Sequence, residues 1–277
     1  MNIDFTTEPE MQTFFYPRNK TGTKRSFYIL KDKAMEHISY QVIPITMGTS
    51  NAYLVYGSDS TLLIDAGNKG KVRDLEATLK HEGLDISDID IVILTHTHYD
   101  HVGCLAGIKE KSGAKVLVHR DEANFLVDGC TPFPKGIMWF SKIIYQIGHG
   151  FFSGRAKYPP VVPDILVDGE CELLTSVPIR ILPTPGHTSG SVCVIINDEC
   201  AIVGDTLFSV IPGSVCPPFA DDGTELVKSW QKLLLTGCRI FYPGHGKPFS
   251  RERLEGYLRK KELHGPLNFP ERSSSKK

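Results

Sequence analysis

Residues 89–101 read IDIVILTHTHYDH, and this stretch constrains the fold more than any other. An apolar, largely β-branched run passes directly into three histidines and an aspartate. Continuous runs of this kind belong to strands buried on both faces. The polar cluster must then lie just past a strand end, where side chains from several loops can converge.

The surrounding pattern repeats the theme. ISYQVIPI, NAYLVYG and STLLIDAG read as three short strands joined by Gly and Ser, which fits antiparallel pairing. GNKGKVRDLEATLKHEGLD follows, with Val72, Leu75, Leu79 and Leu84 near helical spacing. HVGCLAGIKEKSG reads as one helix closed by Gly113, and AKVLVH as another buried strand. The second half has the same texture. DILVDGECELL, VPIRILPTPGH, SGSVCVIIN, CAIVGDTLF and CRIFYPGHG are strand-like. TELVKSWQKLLL is a helix with Leu226, Trp230, Leu233 and Leu234 on one face, and RERLEGYLRKKELH is a terminal helix. Strands followed by a helix, twice over, predict two sheets packed face to face with helices outside.

Three segments stand apart from this pattern. Residues 1–36 read as an N-terminal extension on a domain spanning 37–264, and 265–277 as a tail. Residues 120–164 fit neither half and are rich in aromatics, among them Phe133, Trp139, Phe140 and Tyr145. Within them MWFSKIIYQI has the composition of an apolar or amphipathic helix. The insert reads either as a small apolar patch packed on the body or as a lid and pocket wall.

Composition narrows the class. The net charge is −1, from 31 basic and 32 acidic residues, which argues against a general polyanion binder and gives no sign of a nucleic-acid partner. Seven Cys without a CxxC pair read as reduced thiols of an intracellular protein. The polar start MNIDFTTEPEMQ has no signal-peptide character, and no apolar run reaches about 18 residues. A cytoplasmic protein without a membrane span is expected. A homodimer is among the assemblies the sequence allows.

His96, His98, Asp100 and His101 are ligand types for a borderline or hard divalent cation. His96 and His98 share one side if the backbone is extended, because strand side chains repeat every two residues. Four such groups crowded together without a metal would carry a large desolvation and repulsion cost. Three further candidates each follow a Gly at the end of a strand-like run: His187 in TPGHTSGS, Asp205 in AIVGDTLF and His245 in FYPGHG. Alone, each reads equally as a turn or capping residue; as a series they complete a metal site. The other histidines, at 37, 81, 119, 149 and 264, lack this setting and read as surface or structural. Cys104 reads as a buried helix cysteine.

The series Asp65, HTHYDH, His187, Asp205 and His245 resembles the metallo-β-lactamase superfamily over about residues 38–250. The resemblance implies an α+β fold, a four-layer αββα sandwich. It implies that His96, His98 and His187 hold a first metal, that Asp100, His101 and His245 hold a second, and that Asp205 bridges them. It places Asp65 behind the ligands, and Thr95 and Thr188 flank ligands and are candidates for the same role. Two divalent ions are expected, zinc first, with iron or manganese as alternatives.

Two bridged cations hold a hydroxide near neutral pH and polarise a carbonyl oxygen. Asp100, beside that water, is the candidate catalytic proton carrier. Asp205 stands where one large group of true β-lactamases has Cys. The resemblance therefore points to members like the glyoxalase II thioesterases, the lactonases and the phosphodiesterase branch, the first two being preferred. The expected function is hydrolysis of an ester, thioester or lactone in a small, partly apolar substrate, with Phe133, Trp139, Phe140 and Tyr145 as candidate pocket residues. The alternatives are an iron-dependent enzyme resembling persulfide dioxygenases, a phosphodiesterase, and a metal-holding ligand-response effector with weak esterase activity.

Overall fold

The structure is a computed structural model that describes residues 40–152 and 157–263. Contacts divide the chain into Met1–His37 and Ile38–Lys277, and the described residues all belong to the second unit. The expected extension 1–36 and tail 265–277 lie outside the described residues.

Two six-stranded sheets form the centre. The first runs in chain order through β1 (Gln41–Thr46), β2 (Asn51–Tyr56), β3 (Thr61–Ile64), β4 (Ile91–Ile93), β5 (Lys115–His119) and β6 (Ile165–Val167). Strands β1 to β3 pair antiparallel and β3 to β6 pair parallel. The second sheet has the order β12-β11-β10-β9-β8-β7. Its strands are β7 (Cys171–Leu173), β8 (Ile179–Pro183), β9 (Val192–Ile196), β10 (Cys200–Gly204), β11 (Ile240–Pro243) and β12 (Phe249–Ser250). Only β10 and β11 pair parallel there.

The parallel pairs need crossovers, which the helices supply. Helix α1 (Val72–His81) joins β3 to β4, while α2 (Tyr99–Val102) and α3 (Leu105–Ser112) join β4 to β5. Helices α4 (Arg120–Asp128) and α5 (Trp139–Phe152) lie between β5 and β6. Helix α6 (Gly223–Leu234) joins β10 to β11, and α7 (Arg251–Leu263) follows β12.

Burial explains why the strands read as continuous apolar runs. In β4, Ile91 and Ile93 face the second sheet and Val92 faces the helices. In β9, Val192, Val194 and Ile196 face the first sheet while Cys193 and Ile195 face outward. Three cores result. Tyr53, Leu62, Ile64, Ile181 and Ile202 fill the space between the sheets. Leu75, Leu79, Leu105 and Ile108 cover the first sheet, and Leu226, Trp230, Leu233 and Leu254 cover the second. Each buried aliphatic side chain of this kind stabilises the fold by about 1.5–3 kcal/mol. The result is a four-layer αββα sandwich.

Three local expectations change. HVGCLAGIKEKSG is two helices, because Gly103 N donates to Gly67 O at 2.7 Å instead of continuing the helical ladder. DILVDGECELL is two strands in different sheets: β6 closes the first sheet and β7 opens the second. The insert contains a helix, α4, beyond the one expected at MWFSKIIYQI. It is tied down at both ends, since Leu126, Tyr158 and Val161 join the first outer core and Ile137 the second. All seven cysteines are unpaired. No described helix is long and apolar enough to cross a membrane.

Candidate metal centre

Asp65, the 95–101 loop, His187, Asp205 and His245 all follow the C-terminal ends of strands, namely β3, β4, β8, β10 and β11. These ends share one edge of the sandwich. Backbone hydrogen bonds join the two sheets' loops there: Val192 N donates to Thr95 O at 2.9 Å, and Asn51 N to Gly244 O at 2.7 Å. The sandwich thus holds five separate loops against one another.

The seven side chains form two groups. His96, His98, His187 and Asp205 offer ligand atoms that all lie within 4.8 Å of one another, and Asp100, His101 and His245 do the same. Six of the seven are buried, and His245 is mostly so. Asp205 faces both groups. Its Oδ2 lies 3.4 Å from His187 Nε2 and 3.9 Å from His96 Nε2. Its Oδ1 lies 3.2 Å from His101 Nε2 and 3.5 Å from His245 Nε2. Asp100 Oδ2 completes the second group, 3.3 Å from His245 Nε2.

Four of the five imidazoles are oriented by an oxygen at Nδ1. His101 Nδ1 lies 2.8 Å from Asp65 Oδ2, and His96 Nδ1 lies 3.1 Å from Thr95 Oγ1. His187 Nδ1 lies 2.9 Å from Phe219 O, and His245 Nδ1 lies 2.8 Å from Thr49 O. Each contact turns Nε2 inward, toward the other side chains of the cluster. His98 is turned the other way, with Nδ1 placed 2.9 Å from His187 Nε2. His96 Nε2, His101 Nε2 and Asp205 Oδ1 are buried and have no hydrogen-bond partner. Such atoms are costly unless a cation meets them. Five imidazoles and two carboxylates are the donor set for divalent zinc, iron or manganese, so the residues fit the metals the fold implies.

The charges divide along the same line. Burial, then the His101, His98 and His187 imidazoles, push His96 well below the usual histidine range, and burial and His187 push His98 down to about 3. Burial opposes charge on His101 and His245 too, but Asp205 and the adjacent Asp65 or Asp100 win. His101 is raised well above its ordinary value and His245 is raised to about 10. Burial would likewise raise Asp205, yet His245 and His101 hold it well below the carboxylate range. Without a cation, the surrounding carboxylates favour the protonated forms of His101 and His245.

Two glycines make room for the clustered side chains. Gly204 has φ 47°, in the left-handed region, and a side chain there would strike the Thr95 hydroxyl. A side chain on Gly244 would strike Asp205 Oδ1 and come within 2.7 Å of His101 Cε1.

Thr95 donates its N–H to Asp65 Oδ1 and its hydroxyl to Asp65 Oδ2, both at 2.8 Å. Thr188 instead holds its own turn, with its N–H and hydroxyl both on Ser191 Oγ. Phe133 packs edge-on against Phe219 with 5.0 Å between centroids, on the side of His187. Trp139 and Phe140 pack on each other at the start of α5, and Trp139 is 77% exposed. Tyr145 lies further along α5 and is half-buried. Several residues around the centre carry no sequence signal of their own. Thr49, Ser50 and Phe219 offer backbone or hydroxyl contacts to the ligand residues, and Phe208 stacks on His245 at 4.6 Å. Of the remaining histidines, His81 is exposed and His119 caps α4, accepting from Asp121 N. The imidazoles of His37, His149 and His264 lie outside the described residues.

Residues 45–245 match the family described as the metallo-beta-lactamase superfamily. The chain belongs to that superfamily. It is 29% identical over 212 residues to "Probable metallo-hydrolase YqgX" of Bacillus subtilis, which covers 76% of this chain and 90% of that protein. It is 31% identical over 167 residues to a hydroxyacylglutathione hydrolase of Bradyrhizobium, covering 59% of this chain and 50% of that one. Among solved structures, the BLEG-1 B3 metallo-beta-lactamase superposes with a TM-score of 0.60 at 25% identity, covering 78% of this chain and 95% of that one. A metallo-beta-lactamase family protein of Thermus thermophilus gives 0.60 at 23% identity, covering 81% and 79%.

Proposed function

We propose that this chain is a two-metal hydrolase acting on an ester, thioester or lactone carbonyl. The observation that carries the reading is Asp205, whose two oxygens face two separate groups of metal-ligand side chains. His96, His98 and His187 would hold one divalent cation, Asp100, His101 and His245 the other, and Asp205 both. Zinc is the expected ion at each. When bound, such ions supply a hydroxide nucleophile at neutral pH and polarise the carbonyl oxygen.

The chain's own groups do the rest. Asp65, Thr95, Phe219 O and Thr49 O fix the ring orientations, so the ligand lone pairs are organised before substrate arrives. Asp100 is the carboxylate of the second group and sits beside His245, where it can take a proton and return it to the leaving group. Phe133, Trp139, Phe140 and Tyr145 form the apolar side of the substrate pocket. The names of two relatives support an acyl substrate: the hydroxyacylglutathione hydrolase, and an atrochrysone carboxyl ACP thioesterase of Aspergillus fumigatus, 28% identical over 200 residues. An ester, thioester or lactone is the shared chemistry.

The test is metal analysis of protein purified without chelator, paired with lactone, thioester, phosphodiester and β-lactam substrates. Two zinc-like ions per chain and turnover led by a lactone or thioester are expected. One iron per chain with oxygen uptake, or faster phosphodiester or β-lactam cleavage, would overturn the assignment. So would trace turnover throughout after reconstitution with zinc, iron or manganese.

A further inference from the structure

Thr97 lies between the ligands His96 and His98, and it is fully buried on the face opposite them. Every polar atom of Thr97 is bound by the 120–164 insert. Its N–H and hydroxyl both donate to Glu122 Oε2, at 2.9 and 2.5 Å. Its carbonyl accepts the Thr131 hydroxyl at 2.6 Å. The Tyr158 hydroxyl then lies 2.6 Å from Thr131 Oγ1 and 3.0 Å from Phe125 O, which ties the contact to both ends of the insert.

Glu122 is fully buried, and its Oε1 has no hydrogen-bond partner. One oxygen of this carboxylate therefore serves a single residue of the ligand loop. Glu122 also packs against the His187 turn: a side chain on Gly190 would come within 2.6 Å of its Cγ. The insert reaches His187 by a second route. Phe219 O orients His187, and its neighbours are bound by the insert, through Ile137 N to Pro218 O at 3.0 Å and Ala220 N to Lys135 O at 2.9 Å. The other group is backed from elsewhere. Asp65 holds His101, Thr49 O holds His245, and the Ser50 hydroxyl donates to Asp100 O.

We propose that Glu122 and Thr131 are positioning residues for one half of the centre. They set the His96–His98 pair, so that the insert governs the affinity of the three-histidine group for its ion and leaves the Asp100–His101–His245 group unaffected. This inference rests on the two-ion reading above. A crossover between β5 and β6 thereby does two things at once: it walls the substrate side and holds three ligands at their working spacing.

The experiment titrates zinc out of the full-length protein with a chromophoric chelator and records cobalt spectra of the reconstituted forms. Thr131→Val removes the hydroxyl with little change of shape. It is expected to weaken one of two zinc ions about tenfold and to shift the cobalt bands of that site. Thr131→Ser is expected to restore both. Glu122→Gln keeps the shape and is expected to weaken the same ion; it decides the matter if Thr131→Val folds poorly. Ser50→Ala is expected to weaken the other ion. In His245→Ala, where the three-histidine ion remains, Thr131→Val is still expected to weaken it. Two ions in the wild type with unchanged or equally weakened affinities in both insert variants would overturn this inference alone. A single ion in the wild type would overturn it together with the two-ion reading.

Discussion

Asp65 Oδ2 lies 2.8 Å from His101 Nδ1, and the same oxygen accepts the Thr95 hydroxyl at 2.8 Å. One carboxylate therefore orients the ring of His101 in the second group and, through Thr95, the ring of His96 in the first. Asp65 has φ 63°, a left-handed conformation that Asn also tolerates. Asp65→Asn should keep the backbone, lose the charge and replace one of the two acceptor oxygens by a donor. Zinc affinity is expected to fall about 10–100-fold, read by chelator competition. Unchanged affinity at both sites would remove Asp65 from the account.

Metal uptake should release protons unequally at the two groups. In the metal-free protein His245 is raised to about 10 and His101 well above its usual value, so both are cationic at pH 7. A cation needs their neutral rings. Apparent affinity of the second group should therefore rise with pH, by up to about tenfold per unit for each proton released, until the pH passes about 10. His96 and His98 are held low and are already neutral, so they add no such slope at the first group between pH 6 and 9. Zinc competition at four pH values checks this. A steeper slope for the ion of the three-histidine group would contradict it.

Gly244→Ala should damage the centre from behind. The added methyl would meet Asp205 Oδ1 and His101 Cε1. Overpacking of this kind costs about 1–3 kcal/mol. A lowered melting temperature and loss of the second ion are expected by calorimetry and metal analysis. A variant with normal stability and two ions would show that the contact relaxes freely.

Trp139→Ala should separate stability from substrate use. At 77% exposure the indole adds little to the fold, so the change is expected to stay within about 0.5 kcal/mol. KM for apolar acyl substrates is expected to rise about tenfold, with kcat little changed. A chain-length series with no change in KM would place the pocket elsewhere.

The central strands were legible because both faces of each are buried. Ile91, Val92 and Ile93 need apolar neighbours on both sides, and that requirement is written as a continuous run. His96, His98, His187, Asp205 and His245 could be singled out as candidate ligands because polar residues at strand ends interrupt such runs. The outer contacts were not. Glu122 lies in the polar sequence RDEANFLVD, and only the packing of α4 against the 95–101 loop makes it a buried acceptor. Thr131 and Ser50 act through single hydroxyls, which any surface threonine or serine also carries. The break at Gly103 depends on a partner carbonyl at Gly67, distant in sequence, which no local pattern encodes.

The most direct measurement counts metal ions per chain in the wild type and in Asp205→Asn by mass spectrometry after zinc reconstitution. Asp205 faces both groups, so two ions are expected in the wild type. In the variant fewer than two are expected, with turnover down about 10²–10³-fold. A wild type holding one ion or none, or an Asp205→Asn protein that keeps two ions and full turnover, would contradict it.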